Sequence, residues 1–121
     1  EGSRHLLFRS HVRVEQDGMT ITSDRLEAIY PPKGTQPSRL VAEGDVRLAK
    51  GDRVVRCARA TYDRTRNFLT CEGSAEFQQG QSRLSGDVIE VDNGANRVHV
   101  RGAAAVSLEA GLLKEGGESH P

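Results

Sequence analysis

The strongest constraint on this chain is a repeat. The runs Leu40-Val41-Ala42-Glu43-Gly44-Asp45-Val46, Leu69-Thr70-Cys71-Glu72-Gly73-Ser74-Ala75 and Val98-His99-Val100-Arg101-Gly102-Ala103-Ala104 align on Gly44, Gly73 and Gly102, at two equal intervals of 29 residues. A second register, Ser23-Asp24-Arg25-Leu26, Cys57-Ala58-Arg59-Ala60 and Ser85-Gly86-Asp87-Val88, is interleaved with the first. Two interleaved registers describe one long hairpin copied about three times, and such periodicity decides the fold before any single residue does.

Within each copy the apolar residues alternate with polar ones, as in half-buried strands. Leu6, Phe8, Ser10, Val12 and Val14 share one parity, and Asp17-Gly18 then marks a hairpin turn. Met19 and Ile21 continue the pattern, but the parity flips to Leu26, Ala28 and Tyr30. A flip inside a continuous strand requires a bulge or corner, here at Ser23-Asp24. The same flip recurs after Cys57 and near Gly86-Asp87. Pro31 to Pro37 reads as a loop, Lys50-Gly51-Asp52, Asp63 to Asn67 and Gln79-Gly80-Gln81 as turns, and Asn93-Gly94 as a further hairpin. The last strand is expected to run from Val98 through Gly102 to Val106. Residues 109–114 carry some helical character, but six residues with Gly111 among them are too few for an independent helix. The expected organisation is a flexible segment 1–5, one all-β domain over 6–109 and a flexible tail over 110–121.

Composition narrows the function. Lys plus Arg equals Asp plus Glu at 17 each. Nucleic-acid binding draws most of its affinity from a basic face, so this balance argues against it, and against a polybasic membrane anchor on the same ground. Three Phe, two Tyr and no Trp make a thin core, as expected of a slender sandwich or of an interior completed by something else. No apolar run is long enough to span a bilayer. Cys57 and Cys71 match no zinc pattern; two buried free thiols are the expected state, with a single disulfide the alternative in an oxidising compartment. His5, His11, His99 and His120 are scattered, with no cysteine or carboxylate at ligand spacing. Asp24 and Asp87 recur at the corners, where hydrogen bonds that stabilise the bend explain them better than paired catalytic carboxylates. No constellation calls for an enzyme or a cofactor.

The string from Phe8 to Tyr30 (F-x-x-x-V-x-V-x-Q-x-G-M-T-I-T-S-D-R-L-E-A-I-Y), followed by L-V-A-E-G-D-V-R-L, A-x-A-T-Y-D, L-x-G-D-V-I-E-V-D and V-x-V-x-G, resembles the OstA-like domain of lipopolysaccharide-transport proteins over residues 6 to 108. The resemblance implies an open, twisted antiparallel β-jellyroll of bent hairpins, its two facing sheets splayed as a V with lipid A acyl chains between them. It also implies a periplasmic location, after removal of any signal or anchor. Its partners would be lipopolysaccharide and other OstA-like domains, joined by edge-strand pairing into a head-to-tail homo-oligomer. The inward parity nominates Phe8, Val12, Ile21, Leu26, Leu40, Val46, Leu48, Leu69, Phe77, Leu84, Val88, Val98, Val100 and Val106 as lining residues of an apolar trough. The rival expectations are a bactofilin-like β-solenoid that polymerises without lipid, and a docking module whose whole task is edge pairing.

Overall fold

The computed structural model describes residues 2–102 and the backbone of 105–107. The strands are β1 (Arg4–Gln16), β2 (Met19–Tyr30), β3 (Arg39–Lys50), β4 (Arg53–Asp63), β5 (Phe68–Gln79), β6 (Ser82–Asp92), β7 (Arg97–Arg101) and β8 (Ala105–Ser107). They form one antiparallel sheet in chain order from β1 to β7, with β8 also paired to β6. Strand β1 begins at Arg4, inside the stretch expected to be flexible. The expected tail and short helical stretch lie outside the described residues.

Long strands of this kind remain flat only when nothing interrupts the ladder, and here every long strand is interrupted at its middle. The register shifts between Arg9 and Val12, Thr22 and Arg25, Glu43 and Val46, Arg56 and Arg59, and Glu72 and Ala75. Two left-handed residues in succession make each bend on the odd strands: Ser10 and His11, Gly44 and Asp45, Gly73 and Ser74. One residue of each even strand, Asp24, Ala58 or Asp87, stands opposite such a pair. Two residues facing one is the geometry of a β-bulge, which bends the strand and changes the face its side chains address.

The 29-residue register is thus a column of corners. The expected parity flips fall where the bulges are. Gly102 (φ +91°) repeats the conformation of Gly44 and Gly73 (both +86°) and breaks the expected last strand into β7 and β8. β7 pairs with residues 88–92 of β6 and β8 with residues 83–85. The glycines are needed twice over. A Cβ on Gly73 would lie 2.7 Å from the Ala58 Cβ, and one on Gly44 would lie 2.8 Å from the Asp24 Cβ.

Folding the sheet along these corners produces two layers. The upper layer comprises 4–9, 25–30, 39–43, 59–63, 68–72, 88–92 and 97–101. The lower comprises 12–16, 19–22, 46–50, 53–57, 75–79, 82–86 and 105–107. Between them lies the core, built from Ile21, Val46, Leu48, Val55 and Phe77 below and Leu26, Leu40, Leu69, Ile89 and Val91 above. The outer face is charged: Glu43 accepts from Arg25 (3.1 Å) and Arg59 (3.2 Å) across three neighbouring strands. These pairs are exposed, and each contributes about 0.2–1 kcal/mol at most.

Two sequence expectations are corrected. Cys57 and Cys71 are buried but not free; they form a disulfide with a Cα–Cα distance of 5.7 Å. Cys57 closes the lower part of β4 and Cys71 opposes Ala60 in the upper part of β5, so the bulge brings the two inward-facing sulfurs together across the crease. The second correction is a slip of one residue. Gly86, not Ser85, occupies the place of Ser23 and Cys57, since these three oppose Ala75, Val12 and Val46. Ile89 therefore takes the inward position assigned to Val88. It is wholly buried, while Val88 lies between Glu72 and Arg101 on the outer face.

Candidate functional site

Of the residues nominated from parity, Val12, Ile21, Leu26, Leu40, Val46, Leu48, Leu69 and Phe77 are buried between the layers. Leu84, Val98 and Val100 are half-buried at the edge of the core, with Val98 and Val100 opposite Val91 and Ile89. Val106 is described only by its backbone, which opposes Leu84. Val88 faces outward. Phe8 faces inward, since it opposes the buried Leu26, yet among the described residues it is only partly covered. It is 43% exposed, as is its inner-face neighbour Leu6 at 48%, opposite the buried Ala28. Inner-face apolar surface therefore continues outward past the core as an open ledge on β1.

The reason for the ledge lies at the side opposite the crease, where the hairpin turns of both layers meet. Lower-layer turn 17–18, between β1 and β2, meets the upper-layer turn between β4 and β5. The Tyr62 hydroxyl donates to Asp17 Oδ2 (3.0 Å) and lies 3.2 Å from Asn67 Oδ1, while Arg64 Nε is 3.5 Å from Asp17 Oδ2. Arg53, beside the turn between β3 and β4, donates to Asn96 Oδ1 (2.9 Å) and reaches Asn93 Oδ1 (3.5 Å) in the turn between β6 and β7. Both contacts join a lower turn to an upper turn three strands further along. The layers are consequently staggered. The upper part of β1 extends past the covered core, which leaves Leu6 and Phe8 exposed, whereas Leu26 and Ala28 on the neighbouring β2 are buried.

This row of polar contacts closes the mouth of the V. Tyr62 is 3% exposed, and its hydroxyl is pushed up to about 12 by burial first and by the Asp17 carboxylate second. The upper turns are tied to one another as well, through Arg64 N to Ser38 O (2.9 Å) and Asn93 N to Asn67 O (3.0 Å). Behind the contacts, Met19, Leu48, Val55, Leu69, Phe77 and Val91 surround an apolar cleft of about 30 Å³, with Lys50 and Arg53 at its rim. That is room for a few water molecules. The trough expected between the layers is filled by side chains here, and the uncovered part of the apolar surface is the ledge on β1.

Sequence reasoning missed this mouth. Asp17, Arg53, Tyr62, Arg64, Asn67, Asn93 and Asn96 were legible only as turn or strand residues, because their partners lie 40 or more positions away or across the fold. It also missed Leu6 as an uncovered inner residue, since parity assigns a face and not a cover. Among the described residues, no group of three or more His, Cys, Asp or Glu side chains is placed to hold a metal ion.

Comparison with known proteins agrees with this architecture. No curated protein matches the sequence. Among solved structures, the fold is similar to the crystal structure of LptH from Pseudomonas aeruginosa, described as the LptA-homologous periplasmic component of the lipopolysaccharide transport device. The TM-score is 0.74 and the identity 12%, over 90% of this chain and 96% of that one. The family model for the LptA/LptD N-terminal-domain lipopolysaccharide transport proteins matches residues 2–97. That span takes in β1 to β6, and the chain belongs to this family of transport modules, which are not enzymes.

Proposed function

We propose that this chain is a periplasmic carrier of lipopolysaccharide. It would take the acyl chains of lipid A against its inner face and pass them to like domains aligned head to tail. The observation that carries this reading is the continuity of one apolar surface, from the exposed Leu6 and Phe8 on the ledge to the Leu26 and Ala28 that flank them inside the core. A ledge of this kind suits an amphiphile, whose chains need a smooth apolar bed and few polar contacts.

The edges support the assembly. Among the described residues, β1 at one side, and β7 with β8 at the other, have one sheet neighbour each and offer backbone groups for strand addition. A copy added at β1 would continue the sheet, and its lower layer would come to lie beneath Leu6 and Phe8. The disulfide suits an oxidising compartment such as the periplasm, and no helix of the described residues is long and apolar enough to cross a membrane. The solenoid alternative loses ground to the antiparallel pairing of every neighbouring strand, since the coils of a β-helix stack in parallel.

A photo-crosslinking residue at Phe77 or at Phe8 is expected to capture lipopolysaccharide, whereas one at Arg56 on the charged outer face is not. Capture at the inner positions no stronger than at Arg56 would overturn the carrier reading. Filaments that form equally well from protein that never takes up lipid would favour a purely structural polymer.

A further inference from the structure

The core is filled, yet a carrier must admit its cargo. We propose that the mouth opposite the crease is a gate for acyl chains, held shut by the latch of Asp17, Tyr62 and Arg64 and hinged on the Cys57–Cys71 disulfide. This inference rests on the carrier reading and adds where the lipid enters and what controls its entry.

Three observations lead here. First, the two layers are tied covalently only through the backbone at the corners and by the disulfide across the same crease, so the crease is the side that stays together. Second, the opposite side is closed by side chains alone, at Asp17 with Tyr62 and Arg64 and at Arg53 with Asn93 and Asn96. Contacts of this type exchange readily with water once parted, whereas the buried apolar residues nearer the crease do not. Third, along the same closed side, the cleft lined by Arg53 and Asn93 is otherwise mostly apolar, with Lys50 also among its lining residues. That pairing matches an amphiphile with an anionic head, whose tail would displace the contacts between Leu48, Val55 and Phe77 below and Leu69 and Val91 above. A rotation about the crease lengthens the cleft without breaking any strand pairing, because each layer keeps its own ladder. Hinge closure of this type is an established device for admitting ligands to a closed interior.

The gate is tested by locking it. In Asp17→Cys/Arg64→Cys protein, a short bis-methanethiosulfonate linker joins the two turns and is removed by mild reductant, with the Tyr62→Phe variant as the complementary loosening. The probe is a photoreactive diazirine analogue of palmitate, and its adducts are mapped by peptide mass spectrometry as a function of time. With the linker in place, adducts on the interior peptides carrying Leu48, Phe77 and Val91 are expected to form at least about tenfold more slowly than in the unlinked protein. Adducts on the ledge peptide carrying Phe8 should be unchanged, and reductant should restore the interior rate. Tyr62→Phe should label the interior several-fold faster than the parent. Interior labelling that ignores the linker, or labelling confined to the ledge in the parent protein, would overturn the gate while leaving the carrier reading in place. Absence of adducts at both places would remove both.

Discussion

The Tyr62 hydroxyl in the upper layer donates to the Asp17 carboxylate in the lower layer at 3.0 Å, and the pair joins two hairpins 45 residues apart in sequence. A buried phenol whose proton is held by a carboxylate contributes more than a solvent-exposed one, since a hydrogen bond to a charged group is stronger. Tyr62→Phe is expected to lower unfolding stability by about 2 kcal/mol, read from the midpoint of urea denaturation at unchanged m-value.

The same hydroxyl sets a signature at alkaline pH. Its ionisation is pushed up to about 12 from an ordinary value of 10.0. The folded state therefore keeps a proton that the unfolded chain releases, and stability falls with rising pH in that window. The contribution is fully present below about pH 10 and lost as the pH rises through about 12. Denaturation of wild type and Tyr62→Phe at several pH values should show their stabilities converging across this interval. A constant difference would show that the Tyr62 proton is not what joins the layers.

The disulfide encloses the β4–β5 turn, with a sequence separation of 14. Closing a loop of that length contributes about 3 kcal/mol, chiefly by restricting the unfolded chain. The Cys57→Ala/Cys71→Ala variant is expected to lose stability of that order in urea, and addition of reductant to the wild type should move it the same way. Equal midpoints for the two proteins would mean that the crease is held by packing alone.

At the corners, Gly73→Ala should destabilise more than Gly18→Ala. Both glycines have positive φ, +86° and +78°, but only Gly73 has a neighbour in the way, the Ala58 Cβ at 2.7 Å, whereas nothing lies within 4 Å of a Cβ on Gly18. The turn substitution carries the left-handed conformational cost of about 1 kcal/mol, and the corner adds an overlap that a one-carbon side chain cannot swing away from. Thermal unfolding of the two variants ranks them, and the opposite order would contradict the corner geometry.

On the ledge, stability and assembly should separate. Phe8→Asp alters a side chain that is 43% exposed, so the monomer should still fold, losing only about 1–2 kcal/mol. End-to-end association, measured by sedimentation, should weaken sharply, because a carboxylate would be buried beneath the incoming copy. Leu26→Asp, its cross-strand partner at 1% exposure, should instead fail to fold. Wild-type self-association from Phe8→Asp would exclude the ledge from the interface.

The corners were legible because they repeat. Gly44, Gly73 and Gly102 recur at one spacing, and the parity flips after Ile21, Cys57 and Leu84 announce the bulges. The first corner was not legible, since Ser10 and His11 adopt the left-handed conformation (φ 71° and 53°) without a glycine to mark it. The slip at Ser85-Gly86-Asp87 had a physical basis too. Serine and aspartate both recur in that register, and only the pairing of Gly86 with Ala75 shows which one is equivalent. Alternation assigned the inner face well but was silent about cover, so Phe8 and Leu26 looked alike in sequence and differ in surroundings. The mouth was invisible because the stagger of the layers, which brings Tyr62 to Asp17, is written in no local motif.

The stagger also makes the two ends of the molecule unlike. An object whose upper layer projects at one margin and whose lower layer projects at the other can be laid like roof tiles, each piece lapping the next. Two identical margins turned to face each other would leave both shelves bare, so a self-limiting symmetric pair is geometrically disfavoured. In the head-to-tail assembly proposed above, such a tile would grow in a single direction and be halted only by a terminus of different shape.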